Sequence, residues 1–316
     1  MVNPGKNWVN CRLPCEGKNK EPDTLPGAHM VGRMGGVTPT GAAIDLNLFV
    51  LANLVALAVI YVWAARRASG GWSSGPTIAF FGAMVALALA YLGPFGAWAH
   101  DAFWAHMGQH LLVLMIAGPL LVLSSPVRLT YANLGRVGRQ RLIRVLRSRP
   151  MEIATNPYFG WFLFATVLLG SHTQLVMNWA LISHDAMEFV IRPIYLIAAL
   201  IFYYPLIGCD LIAKRPGPSV RLMSLGLMMI PETTLGIVIH FAPVPLYWPY
   251  EITAAAYGID VMTDQKFAGA LMWALAMVLD GMWMMVAAIE WWRDQERETR
   301  RLERQEAREA QAAASS

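Results

Sequence analysis

The charged residues of this chain are bunched, and the gaps between the bunches limit what it can fold into. From Asp45 onward, short blocks of Arg, Lys, Asp and Glu bracket apolar stretches of about 18 to 25 residues, each long enough to cross a bilayer as a helix. Charged residues make up only 15% of the 316, against roughly one quarter in soluble domains, and 56% are hydrophobic. A nucleic-acid-binding or ordinary cytosolic protein is thereby excluded as the default. The expectation is an all-α fold, a polytopic transmembrane helical bundle.

Seven spans are read: Asp45 to Trp63, Thr77 to Leu92, His106 to Leu123, Asn156 to Val176, Ala186 to Ile207, Val220 to Phe241, and Lys266 to Trp292. They divide the chain into an N-terminal tail over 1–44, a transmembrane domain over 45–292 and a charged helical tail over 293–316. The N-terminal tail is polar and rich in Gly and Pro, and does not read as a cleavable signal peptide. The C-terminal tail interleaves Arg and Glu at helical spacing, as a solvated extension of the last span does. Three cysteines cannot make a disulfide framework. Cys11 and Cys15 read as part of an unstructured tail, and Cys209 as a packing residue.

Alternate connections carry the cations. Arg66 and Arg67 are followed by an arginine-dense linker from Arg128 to Arg149, then Lys214, Arg215 and Arg221, then the C-terminal tail. By the positive-inside rule the N-terminus lies outside and the C-terminus in the cytoplasm. The basic N-terminal tail (Lys6, Arg12, Lys18, Lys20, Arg33) dissents, and four agreeing connections outweigh it.

Histidine took no part in that assignment, yet His100, His106, His110, His172, His184 and His240 all fall on the outer side, with only His29 left in the tail. His106 and His110 are one helical turn apart and share a face, the geometry that lets two imidazoles reach one ion. His184 and Glu188 repeat the spacing, and Asp101, Asp185, Asp264 and Gln265 belong to the same layer. Met107, Met177, Met187, Met262 and Met272 are near enough in sequence to offer thioethers, which favour Cu(I). The competing reading is an interfacial belt, to which Trp98, Trp104, Trp179, Tyr247 and Trp248 also belong, with the histidines as anchors. Deeper in the spans lie Glu232 and Asp280. Glu232 lines an ion path, or is neutral, or pairs with Arg192 to hold the bundle together. Pro119 and Pro231 are expected to kink their helices.

"AHMGQHLLVLMIAGPLLVLSSPVRL", "HDAMEFVIRPIYL", "LGIVIHFAPVPLYWPY" and "DQKFAGALMW" together resemble the CtaG-type assembly factors of caa3-type cytochrome c oxidases, in matching order from Leu46 to Trp292. The resemblance implies a non-enzymatic, multi-pass protein of the bacterial cytoplasmic membrane that helps assemble the oxidase by handling copper. Its partners would be oxidase subunits, a copper chaperone and the lipid bilayer, with no nucleic acid. Metal handling carries over to His106 and His110, and further to His184, His240, Asp264 and Gln265; His100 and His172 complete the ligand shortlist, with Glu188 and Glu232 beside it. Where the family often has a histidine-rich junction between the fourth and fifth spans, this chain offers His172 and His184. Two other readings stay open: a haem-binding or electron-transfer membrane protein, and a transporter of copper or another solute.

Overall fold

The computed structural model describes residues 47–68, 71–208 and 210–315. Asp45, Cys209 and the N-terminal tail, with Cys11, Cys15 and His29, lie outside the described residues, as does the side chain of His184.

Among the described residues the chain is helical, without strands. Two helices come first, α1 (Leu48–Arg67) and α2 (Ser74–Tyr91), then a short α3 (Pro94–Trp98). The third expected span is composite: α4 (Phe103–His110), a π-helical segment (Leu111–Ala117) and α5 (Gly118–Leu123), continued after a turn by α6 (Pro126–Asn133). The arginine-dense linker forms α7 (Arg136–Leu146) and α8 (Arg149–Ala154). Next come α9 (Pro157–Ser171) and α10 (Gln174–Ile182), bent by 69° where they meet. A continuous helical stretch follows, made of α11 (His184–Ala186), a second π segment (Met187–Ile191) and α12 (Arg192–Tyr203). The chain closes with α13 (Pro218–Phe241), α14 (Trp248–Tyr257) and the long α15 (Val261–Ser315).

Five of these stretches are long and apolar enough to cross a membrane: Leu48–Arg67, Ser74–Trp98, Phe103–Asn133, Pro218–Phe241 and Val261–Ala307. The bent pair makes six if it counts as one span. The expected span from Ala186 to Ile207 forms a helix but carries Glu188 and Arg192, with Asp185 just before it. Helix α1 buries only Tyr61 and exposes Leu48, Phe49, Val59 and Ile60, a surface that suits hydrocarbon.

Both π segments have the same local cause. Each ends one residue before a proline pair-mate: the Gly118 amide bonds back to Val113, ahead of Pro119, and the Arg192 amide to Met187, ahead of Pro193. Proline removes an amide donor and its ring crowds the carbonyl four residues earlier, while the residue before it stays helical at both sites. The Met115 carbonyl, which an amide at position 119 would have bonded, accepts instead from Trp283 Nε1 at 2.7 Å. The second expected kink site, Pro231, lies inside an unbroken α13.

The arginine-bearing connections gather at one end of the bundle. Asp210 accepts from the Val127 and Arg128 amides at 3.0 and 2.7 Å, capping α6, whose own N-cap Ser125 makes no side-chain cap. Burial holds the Asp210 carboxyl above the usual carboxylate range despite those two donors. Buried Arg221 donates to the Leu206 carbonyl and to Glu290, each at 2.5 Å, and Glu290 also accepts from the Gly208 amide. Asn133 reaches the Ala64 carbonyl near the end of α1. Helices α13 and α15 run antiparallel between this end and the other, where Gly236 and Gly269 let their backbones touch. A Cβ on Gly269 would stand 2.6 Å from the His240 amide nitrogen.

Candidate metal centre

The histidine end begins with a borrowed cap. Helix α4 starts at Phe103 with Ala102 as its N-cap, which has no side chain to satisfy the first amides. Asp264, from the first turn of α15, reaches across and accepts from Phe103 and Trp104 at 2.8 and 3.2 Å. The helix so fixed carries His106 and His110 on one face, 1% and 5% exposed.

The third imidazole comes from far along the chain. His172 sits at the C-terminal end of α9, at the 69° break, and is equally buried. Its Nδ1 donates to the Leu168 carbonyl at 2.8 Å, and the Tyr247 hydroxyl donates to its backbone carbonyl at 2.6 Å. Ring centroids lie 4.3 Å apart for His106 and His110, 5.2 Å for His110 and His172, and 6.3 Å for His106 and His172. The three residues offer ring nitrogens that all lie within 4.8 Å of one another.

What marks this cluster is its unmet hydrogen-bonding capacity. Nε2 of His106, of His110 and of His172 is buried without a hydrogen-bond partner. Buried polar atoms are rarely left this way, because each forfeits about 1–3 kcal/mol of lost hydration. With Nδ1 of His172 committed as a donor, its Nε2 carries the lone pair, the arrangement in which histidine ligates metals. The His106 ring faces the Ala99 carbonyl, which the Tyr250 hydroxyl holds at 2.8 Å. Metal–imidazole bonds of about 2 Å place nitrogens about 3.5 Å apart, so the triad needs to contract by about 1 Å. Three neutral imidazoles inside an apolar shell suit zinc, copper, iron or nickel rather than a hard cation.

The remaining shortlisted residues have other tasks. His240 donates from Nδ1 to the Lys266 carbonyl at 2.7 Å and so ties α13 to α15, outside the triad. His100 lies in the loop before α4, close enough to act electrostatically on His106. Gln265 bonds the Leu246 amide and the Val244 carbonyl, fixing the loop that delivers Tyr247. Glu188 is paired with Arg192 and accepts from Asn47. The same ion pair corrects the reading in which Arg192 partners Glu232. Of the five methionines, Met107, Met177, Met187 and Met272 pack into the hydrophobic core. Tyr247 is 3% exposed, so it is a buried positioning group rather than part of an interfacial belt.

Three residues escaped the sequence reading. Ser171 and Tyr195 make a close hydroxyl contact beside His172, and the Tyr195 ring stacks at a tilt on His110 with centroids 4.3 Å apart. Tyr250 packs on Phe103 and anchors Ala99. The signal for Tyr195 and Tyr250 was an aromatic hydroxyl in an otherwise apolar stretch, and for Ser171 a hydroxyl next to His172. Beside His110 lies a cavity of about 10 Å³ bounded by Tyr91, Gln109, Arg192 and Tyr195, room for about one water.

Residues 59–294 match the family described as cytochrome c oxidase caa3 assembly factor, and the chain belongs to that family. No curated protein and no solved structure matches it.

Proposed function

We propose that this caa3 oxidase assembly factor holds a copper ion at His106, His110 and His172 and passes it to an oxidase subunit during assembly. The observation that carries the reading is that three buried histidines, each with an unpartnered Nε2, bring ring nitrogens within 4.8 Å of one another. Copper is chosen from the metals that suit imidazole because the family serves an oxidase with copper centres. The ion is cargo. Three neutral ligands in a site that must contract to close can release it by ligand exchange, which a closed tetrahedral site resists. The protein acts by binding and transfer, without catalysis.

With the arginine-bearing connections in the cytoplasm of a bacterial cell, the histidine end faces outward, where an oxidase subunit or a copper chaperone can meet it. The haem alternative finds less support. His106 and His110 are in edge contact and the adjoining cavity holds about one water, leaving no slot for a macrocycle. The test is competitive Cu(I) titration of detergent-purified protein. One ion per chain is expected, with loss of tight binding in His172→Ala; unchanged affinity in that variant overturns the assignment.

A further inference from the structure

A second buried polar cluster lies deeper in the bundle, and metal handling makes no use of it. Glu232, Asp280 and Tyr203 are 1%, 0% and 0% exposed. Antiparallel packing sets the level at which they meet. Gly236 of α13 abuts Gly269 and Trp273 of α15, while Gly226 faces Met284. Glu232 lies between those two points on α13, and Asp280 lies between them on α15. The side chains are neighbours, and Tyr203, the last residue of α12, feels the charge of both.

None of the three has its hydrogen bonds met. Glu232 Oε2, both Asp280 carboxylate oxygens and the Tyr203 hydroxyl are buried without partners. No cation compensates them among the described residues: Arg192 is taken by Glu188 and Arg221 by Glu290. His240 does not serve, being two turns of α13, about 12 Å, from Glu232, and no described histidine acts on either carboxyl. Among the described residues, Tyr203 is the one other titratable group on which the charges of both carboxyls act. Two adjacent carboxylates in an apolar layer cannot both stay ionised without a positive partner. The smallest such partner is a proton held between them, as in paired-carboxyl sites elsewhere.

We propose that Glu232, Asp280 and Tyr203 form an intramembrane proton-binding site, in which the two carboxyls share one proton and the Tyr203 hydroxyl donates to the carboxylate that remains. Loading forms one O–H bond between a proton from water and a carboxylate oxygen; unloading breaks that bond and returns the proton to water. The site is separate from the histidine triad and stands or falls independently of it.

Full-length protein in liposomes, treated with an apolar carbodiimide at neutral pH and mapped by peptide mass spectrometry, tests this directly. The reagent activates only protonated carboxyls that are out of water. Labelling is expected on Glu232 or Asp280, never on both in one molecule. Glu232→Gln moves the label to Asp280 or abolishes it, and His106→Ala leaves it in place. The wild-type measurement alone is decisive if the variants fold poorly. Labelling of neither carboxyl, or of both at once, overturns the proposal. So does protection by sodium or potassium chloride at fixed pH, which assigns the site to a metal cation instead.

Discussion

At the arginine-bearing end, Arg221 donates to a carbonyl and to Glu290, Glu290 also accepts from an amide, and Asp210 caps α6. At the histidine end, three imidazoles are buried as Arg221 is, and each leaves Nε2 with no partner. Burial alone therefore does not separate structure from function here; what separates them is whether the buried group is satisfied. A satisfied group holds helices together. Unsatisfied groups gathered in one place suit a ligand, and three such imidazoles are what support the proposed metal site.

That contrast can be broken from either end. The largest effect is expected from replacing His106, His110 and His172 together by Ala, which should abolish tight Cu(I) binding in competitor titrations. Each single replacement should weaken binding by on the order of 100-fold, as loss of a ligand costs at least as much as loss of its supporting contacts. At the opposite end Arg221→Met removes the charged partner of partly exposed Glu290 and should destabilise the fold by about 1–3 kcal/mol, followed by thermal unfolding in mild detergent. The folded fraction of that variant should bind copper with unchanged affinity. Asp264→Ala joins the two effects on a smaller scale. Losing the cap of α4 should cost about 1 kcal/mol of stability and measurably weaken copper binding, because that helix carries two of the ligands. The smallest effect belongs to His240→Ala, which gives up one hydrogen bond to Lys266, about 1 kcal/mol or less, and leaves copper affinity as it was.

Much of this was legible in the sequence, for reasons that also mark where legibility stops. Helices follow from apolar length, and the shared face of His106 and His110 from helical periodicity alone. The partner of Arg192 was misread as Glu232, although Glu188 lies one turn before it and that local pairing precedes any distant one. What stayed hidden depends on which helices become neighbours. His172 stood on the shortlist with five other histidines, and nothing in its spacing distinguished it from His240. Only the break between α9 and α10 carries it to the other two. Asp264 was placed in the right layer, but its role as the cap of another helix needed the packing of α15 against α4. Tyr247 resembled an interfacial aromatic until the loop held by Gln265 folded it inward. Composition likewise counts Glu232 and Asp280 as two isolated acids, because only the register of α13 against α15 makes them a pair.

X-ray absorption spectroscopy of the copper-loaded protein, run beside His172→Ala, addresses the metal centre most directly. Three imidazole nitrogens are expected around the ion in the wild type, falling to two in the variant with a matching drop in affinity. A sulfur-dominated shell, or a nitrogen shell that His172→Ala leaves unchanged, would contradict the triad.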